Sequence, residues 1–389
     1  MTISSRTLNA KISEAIVILA IALAAAAALQ GAEWRQEVID PSGGGKFSSL
    51  RIDTFGNAHV AYVDDAQLLL KYSFWDHNLR KWFTTAIDAT RGFCSLTLDS
   101  KQRPHISYLA YGDGQLKYAF WNGTLWQKQV IRINARDISY YTSIVLDAHE
   151  NPTITYYEYW GTGEDYRLNL RDVSWNGSFW AVRTIDSVPG SGKFNSAAVD
   201  SKGFPHVAYA NVKSENAGLR YAWWDGETWH VEVLEGVDSP TGIYSVAIAL
   251  DKQDTPHIVY TDIVNRLVKY ATRRAGKWEL QAVDTLKQYS YPDRNGIALD
   301  PEGNPYITYY DSGIGVLKMA HREGGKWVAE IIDENFSGFT SSIQIVGDSI
   351  WVTYADENTH GLKCARRPFT EAPAAGKNVT SAARTDKTR

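Results

Sequence analysis

One phrase recurs around this chain, and one copy of it lies at the opposite end of the sequence from the repeat that it completes. Trp82, Trp126, Trp180, Trp229, Trp278 and Trp327 each open a strand-like run that ends in an aliphatic and a mostly acidic residue: Ile87-Asp88, Ile131-Arg132, Ile185-Asp186, Leu234-Glu235, Val283-Asp284 and Ile332-Asp333. Trp34 with Ile39-Asp40 is the seventh copy. The period is about 49 residues and holds four strand patterns. A unit of that size cannot bury its own apolar face, so its copies must stack on one another; four strands per unit is the signature of a β-propeller.

Each period begins with an alternating run that ends in Asp, as in Ser49 to Asp53, Ser95 to Asp99, Ser143 to Asp147, Ser196 to Asp200, Val246 to Asp251 and Gly296 to Asp300. A turn follows that often carries Gly or Pro, and Pro there can start a strand without removing an internal ladder bond. The second strand reads His-Val-Ala-Tyr from His59 and His206, His-Ile-Ser-Tyr from His105 and His-Ile-Val-Tyr from His257. Its last residue is Tyr in all seven copies: Tyr62, Tyr108, Tyr156, Tyr209, Tyr260, Tyr309 and Tyr354. The third strand keeps a basic residue at one place: Lys71, Lys117, Arg171, Arg220, Lys269, Lys318 and Lys363. Hairpin dipeptides such as Asn122-Gly123 and Asp225-Gly226 then lead to the Trp strand.

The last copy has three strands and no Trp strand, whereas Glu33 to Asp40 is a Trp strand with nothing before it. Pairing the two removes an open sheet edge that would otherwise invite aggregation. The fold class expected is therefore all-β: a seven-bladed β-propeller of four-stranded blades, the last closed by the N-terminal strand. It occupies residues 33–369 and leaves no room for a second domain. Residues 1–32, with Arg6 and Lys11 ahead of an apolar run from Ala15 to Leu29, read as a signal peptide, with an uncleaved anchor as the alternative. The tail, 370–389, lacks an apolar pattern and is expected to be disordered. Export to the periplasm, cell surface or medium follows, with membrane contact only if the leader is retained. The net charge of −4 and the dispersed Lys and Arg argue against nucleic acid as partner. A monomer is expected. Cys94 and Cys364 fall on strands that should not meet, so both are expected to be free.

The histidines at 59, 105, 206 and 257 occupy one position in different blades. That spreads them around the ring, so they are expected to be packed or hydrogen-bonded and not to converge on a metal. No metal and no cofactor are expected. Gly43-Gly44-Gly45-Lys46 and Gly190-Ser191-Gly192-Lys193 resemble phosphate loops but precede strands and lack the Walker spacing. Asp64, Glu158, Asp262, Asp311 and Asp356 stand two residues after the repeat Tyr, and a cross-strand ion pair with the basic residue is expected in each blade.

Specificity in a symmetric scaffold resides where the repeat is broken. Three segments break it and by strand direction open on one face: 133–142 with Arg136, Tyr140 and Tyr141; 158–166 with Glu158 and Trp160; and 285–295 with Tyr289, Tyr291 and Arg294. Rings beside carboxylates and guanidinium groups suit a sugar, whose C–H faces stack and whose hydroxyls accept paired contacts. These eight residues are the candidate ligand-binding set; none is assigned as catalytic.

The phrase Asp-x-x-Gly-x-Pro-His-Ile-x-Tyr, followed by Leu-Lys-Tyr-Ala and a Trp strand, resembles the repeats of exported bacterial propellers of the sialidase-like superfamily and of seven-bladed lectins. The Asp-boxes of sialidases are missing: the corresponding hairpins read Trp121-Asn122-Gly123-Thr124-Leu125-Trp126 and Trp224-Asp225-Gly226-Glu227-Thr228-Trp229. The lectin resemblance implies a non-catalytic binder of a glycan or cell-surface protein. The sialidase resemblance implies a glycoside hydrolase or polysaccharide lyase, although the arginine triad and Tyr-Glu pair of sialidases do not map onto this chain. In that alternative Glu158 or Asp311 would serve as acid or base and Arg136 or Arg294 would hold a substrate carboxylate.

Overall fold

The computed structural model describes residues 33–110, 115–131, 137–160, 167–213, 215–236, 242–288, 294–334, 338, 340–356, 358 and 361–369. The leader, 1–32, and the tail, 370–389, lie outside them. The described residues are all-β, and no helix among them is long and apolar enough to cross a membrane. Five antiparallel sheets have four strands each, and a sixth has seven because the single strand Lys81–Leu98 is the outermost strand of blade 1 and then the innermost of blade 2. Counted by role, these are seven four-stranded blades.

Closure is direct. The N-terminal strand, Arg35–Asp40, pairs antiparallel with the third strand of blade 7, Gly361–Pro368, and forms the outer edge of that sheet. Gln36 Nε2 also donates to the Ile332 carbonyl of blade 6 at 2.7 Å, and Glu37 pairs with Arg366 at 2.7 Å.

The core is divided into seven apolar clusters, one at each junction between blades. Each takes one repeat tryptophan from the outer strand of the blade on its far side. Trp82 packs at the junction of blades 7 and 1, Trp126 at the next, and Trp34 at that of blades 6 and 7. The wedge between two twisted sheets widens outward, and a broad flat ring fills it. All seven are half-buried. The deepest large side chains are the seven repeat tyrosines, each at most 1 % exposed.

Polar repeat residues also serve the junctions. Tyr62, Tyr108, Tyr209, Tyr260, Tyr309 and Tyr354 each donate a hydrogen bond to the acidic residue that ends the Trp strand of the preceding blade: Asp40, Asp88, Asp186, Glu235, Asp284 and Asp333. The repeat Lys or Arg pairs with that same carboxylate. Pairing within a blade, by contrast, occurs in four blades, as Lys71–Asp64, Arg171–Glu158, Lys318–Asp311 and Lys363–Asp356. Blade 5 departs from the expected pattern because Asp262 accepts from Asn265 while Lys269 reaches across to Glu235.

The histidines are structural. Asp53 Oδ1 accepts from the turn amides of Phe55 and Asn57 at 2.8 Å, and its Oδ2 faces His59 Nε2 at 3.3 Å. His59 Nδ1 then meets the Tyr72 hydroxyl at 2.6 Å. The same Asp–His–Tyr arrangement recurs in blades 2, 4 and 5, where His105, His206 and His257 meet a tyrosine hydroxyl and face the turn aspartate at 3.5, 3.6 and 3.4 Å. Both cysteines are free and buried.

Candidate functional site

Every inner strand starts at the face where the irregular segments open, and its first residues ring the mouth of the central channel. Two residues before the repeat Ser of blades 1 to 4 stand Phe47, Phe93, Tyr141 and Phe194, and Tyr244 takes the place in blade 5. Their rings touch in succession, with centroids 3.9, 4.4, 4.7 and 4.6 Å apart. Blades 6 and 7 complete this collar with Arg294 and Thr340, which are joined by an isolated bridge. Thr340 Oγ1 accepts from the Phe47 amide at 3.2 Å and brings the circle back to blade 1.

The collar is held by irregular backbone. The pairing of the inner strands of blades 1, 4 and 5 shifts at this point, and Phe47, Phe194 and Ser245 adopt φ of 57°, 54° and 57°. A β-bulge re-aims the side chain that it carries. A bulky residue in the left-handed region costs on the order of 1–3 kcal/mol and recurs where a site needs it.

Behind the collar lies a channel of about 490 Å³. Ser49, Ser95, Ser143, Ser196 and Ser342 line it, and each Oγ accepts from a backbone amide of the next blade, those of Leu96, Ile144, Ala197, Ile248 and Leu50. Ala247 and Gly296 interrupt the circle. Two guanidinium groups enter the same space. Arg51 donates to the Leu50 carbonyl at 2.8 Å, and Arg294 reaches across the channel to the Cys94 carbonyl at 3.3 Å. Desolvation, then the charge of Arg294, brings Arg51 down to about 10, and desolvation also lowers Arg294. Burial pushes the Cys94 thiol up to about 12.

Two of the eight residues singled out in the sequence come together here: Tyr141 and Arg294 line one small recess at the mouth with Phe93 and Phe194. Tyr141 packs at a tilt between Phe93 and Phe194 in the collar. Glu158 lies apart, buried in blade 3, where Arg171 donates to both of its oxygens at 2.8 and 3.0 Å and Asn169 donates as well. Arg136, Tyr289 and Tyr291 lie outside the described residues, as do the side chains of Tyr140 and Trp160. Phe47, Phe93, Phe194, Tyr244 and Arg51 were not singled out, although an aromatic residue just ahead of the inner-strand Ser was the available signal. No group of His, Cys, Asp or Glu among the described residues is arranged to hold a metal.

No protein-family model and no curated protein sequence matches this chain. Solved structures do. A polysaccharide lyase described as an ulvan lyase is similar at 13 % identity and a TM-score of 0.59, over 85 % of this chain and 95 % of its own. A β-propeller domain from Myceliophteria thermophila matches at 13 % identity and a TM-score of 0.55, over 85 % and 99 %. A Hadza microbial sialidase matches at 12 % identity and a TM-score of 0.51, over 79 % and 75 %. At such identities the likeness is one of fold alone, that of a β-propeller.

Proposed function

We propose that this is an exported, non-catalytic propeller that binds a glycan through the face on which the irregular segments open. The observation that carries the reading is the collar: five aromatic residues in tilted contact at the mouth of the channel, of which Phe47, Tyr141 and Tyr244 stay partly exposed, with Arg294 next in the ring. Apolar rings beside a planar donor group suit a sugar bearing hydroxyl or acidic substituents. Two similar folds, a polysaccharide lyase and a sialidase, belong to proteins that act on glycans. A binding role is favoured over hydrolysis because the carboxylates of Glu158 and Asp311 are engaged by Arg171 and Lys318, so neither is free as general acid or base.

The test is a glycan array with the purified protein, repeated with Tyr141→Ala, Trp160→Ala and Tyr289→Ala. Binding weakened by any of the three supports the face as the site; binding untouched by all removes it. Incubation with neutral and acidic polysaccharides checks the other half of the reading, since new reducing ends or unsaturated-uronate absorbance would make the protein an enzyme.

A further inference from the structure

The lining of the central channel contains two cations, Arg51 and Arg294, and no carboxylate. Among the described residues neither arginine takes part in an ion pair, whereas the repeat Lys and Arg of all seven blades do. A guanidinium has five N–H donors, and the structure uses one from each: Arg51 to Leu50, Arg294 to Cys94. Both groups line the same channel, and there the charge of Arg294 opposes that of Arg51. Like charges confined together without a counter-charge are costly, and mutual repulsion would drive such side chains apart unless something negative joined them.

The serine ring has the same polarity. Each Oγ already accepts a backbone N–H from the adjacent blade. Each keeps its O–H to donate beside a second lone pair, and none of these five hydroxyl protons is given to an acceptor among the described residues. The channel thus offers donors at two levels, hydroxyls and guanidinium N–H groups. That is the complement of an oxyanion, which accepts on every face.

We propose that the central channel is an oxyanion-binding site in which Arg51 and Arg294 hold one carboxylate, sulfate or phosphate group between them, with the serine hydroxyls completing its shell. The site lies behind the collar and shares Arg294 with it, whereas Arg51 and the serine ring belong to the channel alone. A free inorganic anion and the acidic group of a sugar share this chemistry, and the probes separate them.

The full chain is titrated calorimetrically with sodium sulfate, sodium phosphate and sodium glucuronate at ionic strength matched with sodium chloride, and its thermal unfolding is followed in each. Wild type is expected to bind one equivalent, and Arg51→Gln and Arg294→Gln to bind roughly tenfold more weakly or worse, since each loses charge-assisted hydrogen bonds. Thermal unfolding adds a reversal. In chloride alone, Arg51→Gln melts above wild type because repulsion is relieved, and in saturating sulfate it melts below. Should Arg294→Gln fail to fold, Arg51→Gln carries the test, because its hydrogen bond runs only to the neighbouring carbonyl. Preference for sulfate or phosphate assigns the site to a free anion, and preference for glucuronate assigns it to an acidic sugar; either outcome upholds it. Equal response of wild type and both variants, with no reversal of melting order, overturns it. Retained sulfate binding alongside a blank glycan array would sink the glycan reading alone.

Discussion

Tyr62 donates a 2.6 Å hydrogen bond to Asp40, and so ties the second strand of blade 1 to the N-terminal strand that closes blade 7. Lys71 joins them, 3.0 Å from Asp40 and 2.6 Å from Asp64. Burial alone would raise the Asp40 carboxyl, but Ser42, Tyr62 and Lys71 together hold it down at about 2. The closing strand therefore supplies the buried carboxylate of the next junction as well as a sheet edge. Asp40→Ala leaves Tyr62 without its acceptor and Lys71 with one carboxylate instead of two, at a cost of about 2 kcal/mol. Denaturant unfolding should show that loss, and Glu227→Ala, at an exposed hairpin, should be near neutral. Equal effects from the two would mean that the junction contributes nothing beyond pairing of the strands.

Trp34 provides a second check on closure. It packs against the cluster between blades 6 and 7, with Arg367 over its ring at 5.2 Å from the centroid. A fully buried ring of this size costs about 3–5 kcal/mol to remove. The structure places all seven tryptophans half-buried, which reduces the expected cost of Trp34→Ala to about 2 kcal/mol. Trp229→Ala, which opens the junction of blades 3 and 4, should cost a similar amount. Wild-type stability for Trp34→Ala beside a destabilised Trp229→Ala would contradict closure by the N-terminal strand.

These residues also show what the sequence made legible. Trp, Tyr and the basic residue recur because every junction makes the same demand on them, and seven copies with one displaced were enough to count the blades and close the ring. The partner of each Tyr was harder to see. Asp40, Asp88 and Asp186 end strands that precede their tyrosines by one blade, and strand pairing within a blade says nothing about contacts across the wedge. Most of the collar was harder to see: Phe47, Phe93 and Phe194 stand just ahead of the inner-strand Ser, and only the irregular pairing there brings them into contact around Tyr141. Arg51 replaces Thr97, Val145 or Ala198 at one strand position, an irregularity visible in the sequence but without meaning until the seven strands are arranged around an axis.

Ser245 carries a prediction in the opposite direction. Its φ is 57°, it is fully buried, and its Oγ has no hydrogen-bond partner among the described residues. Glycine adopts that conformation without strain and removes the unsatisfied hydroxyl. Set against the greater freedom that glycine gives the unfolded chain, Ser245→Gly should still stabilise the fold by about 1 kcal/mol. A rise in the denaturation midpoint with an unchanged slope is the expected result. A fall would show that the hydroxyl is satisfied in solution.

Acid should weaken the ring in two stages. His105, His206 and His257 are buried, and desolvation lowers each of them below 6.5. Their unfolded forms take up protons first, so the stability that they contribute is complete above about pH 6.5 and is lost as pH falls toward the folded values. Asp40 and Asp88 are lowered too, by hydrogen bonds and lysines that outweigh burial. Their contribution is complete above about pH 4 and is lost on further acidification, Asp40 alone accounting for roughly 2 kcal/mol. Asp172 works against the trend, since burial raises its carboxyl despite Arg183. A plot of unfolding free energy against pH should therefore descend in two steps on acidification. Replacing His105 and His257 by Gln should lower the whole curve while flattening the first step and leaving the second in place. A first step unchanged by both replacements would mean that these rings do not titrate with folding, and that the Asp–His–Tyr arrangements hold them in the same protonation state throughout.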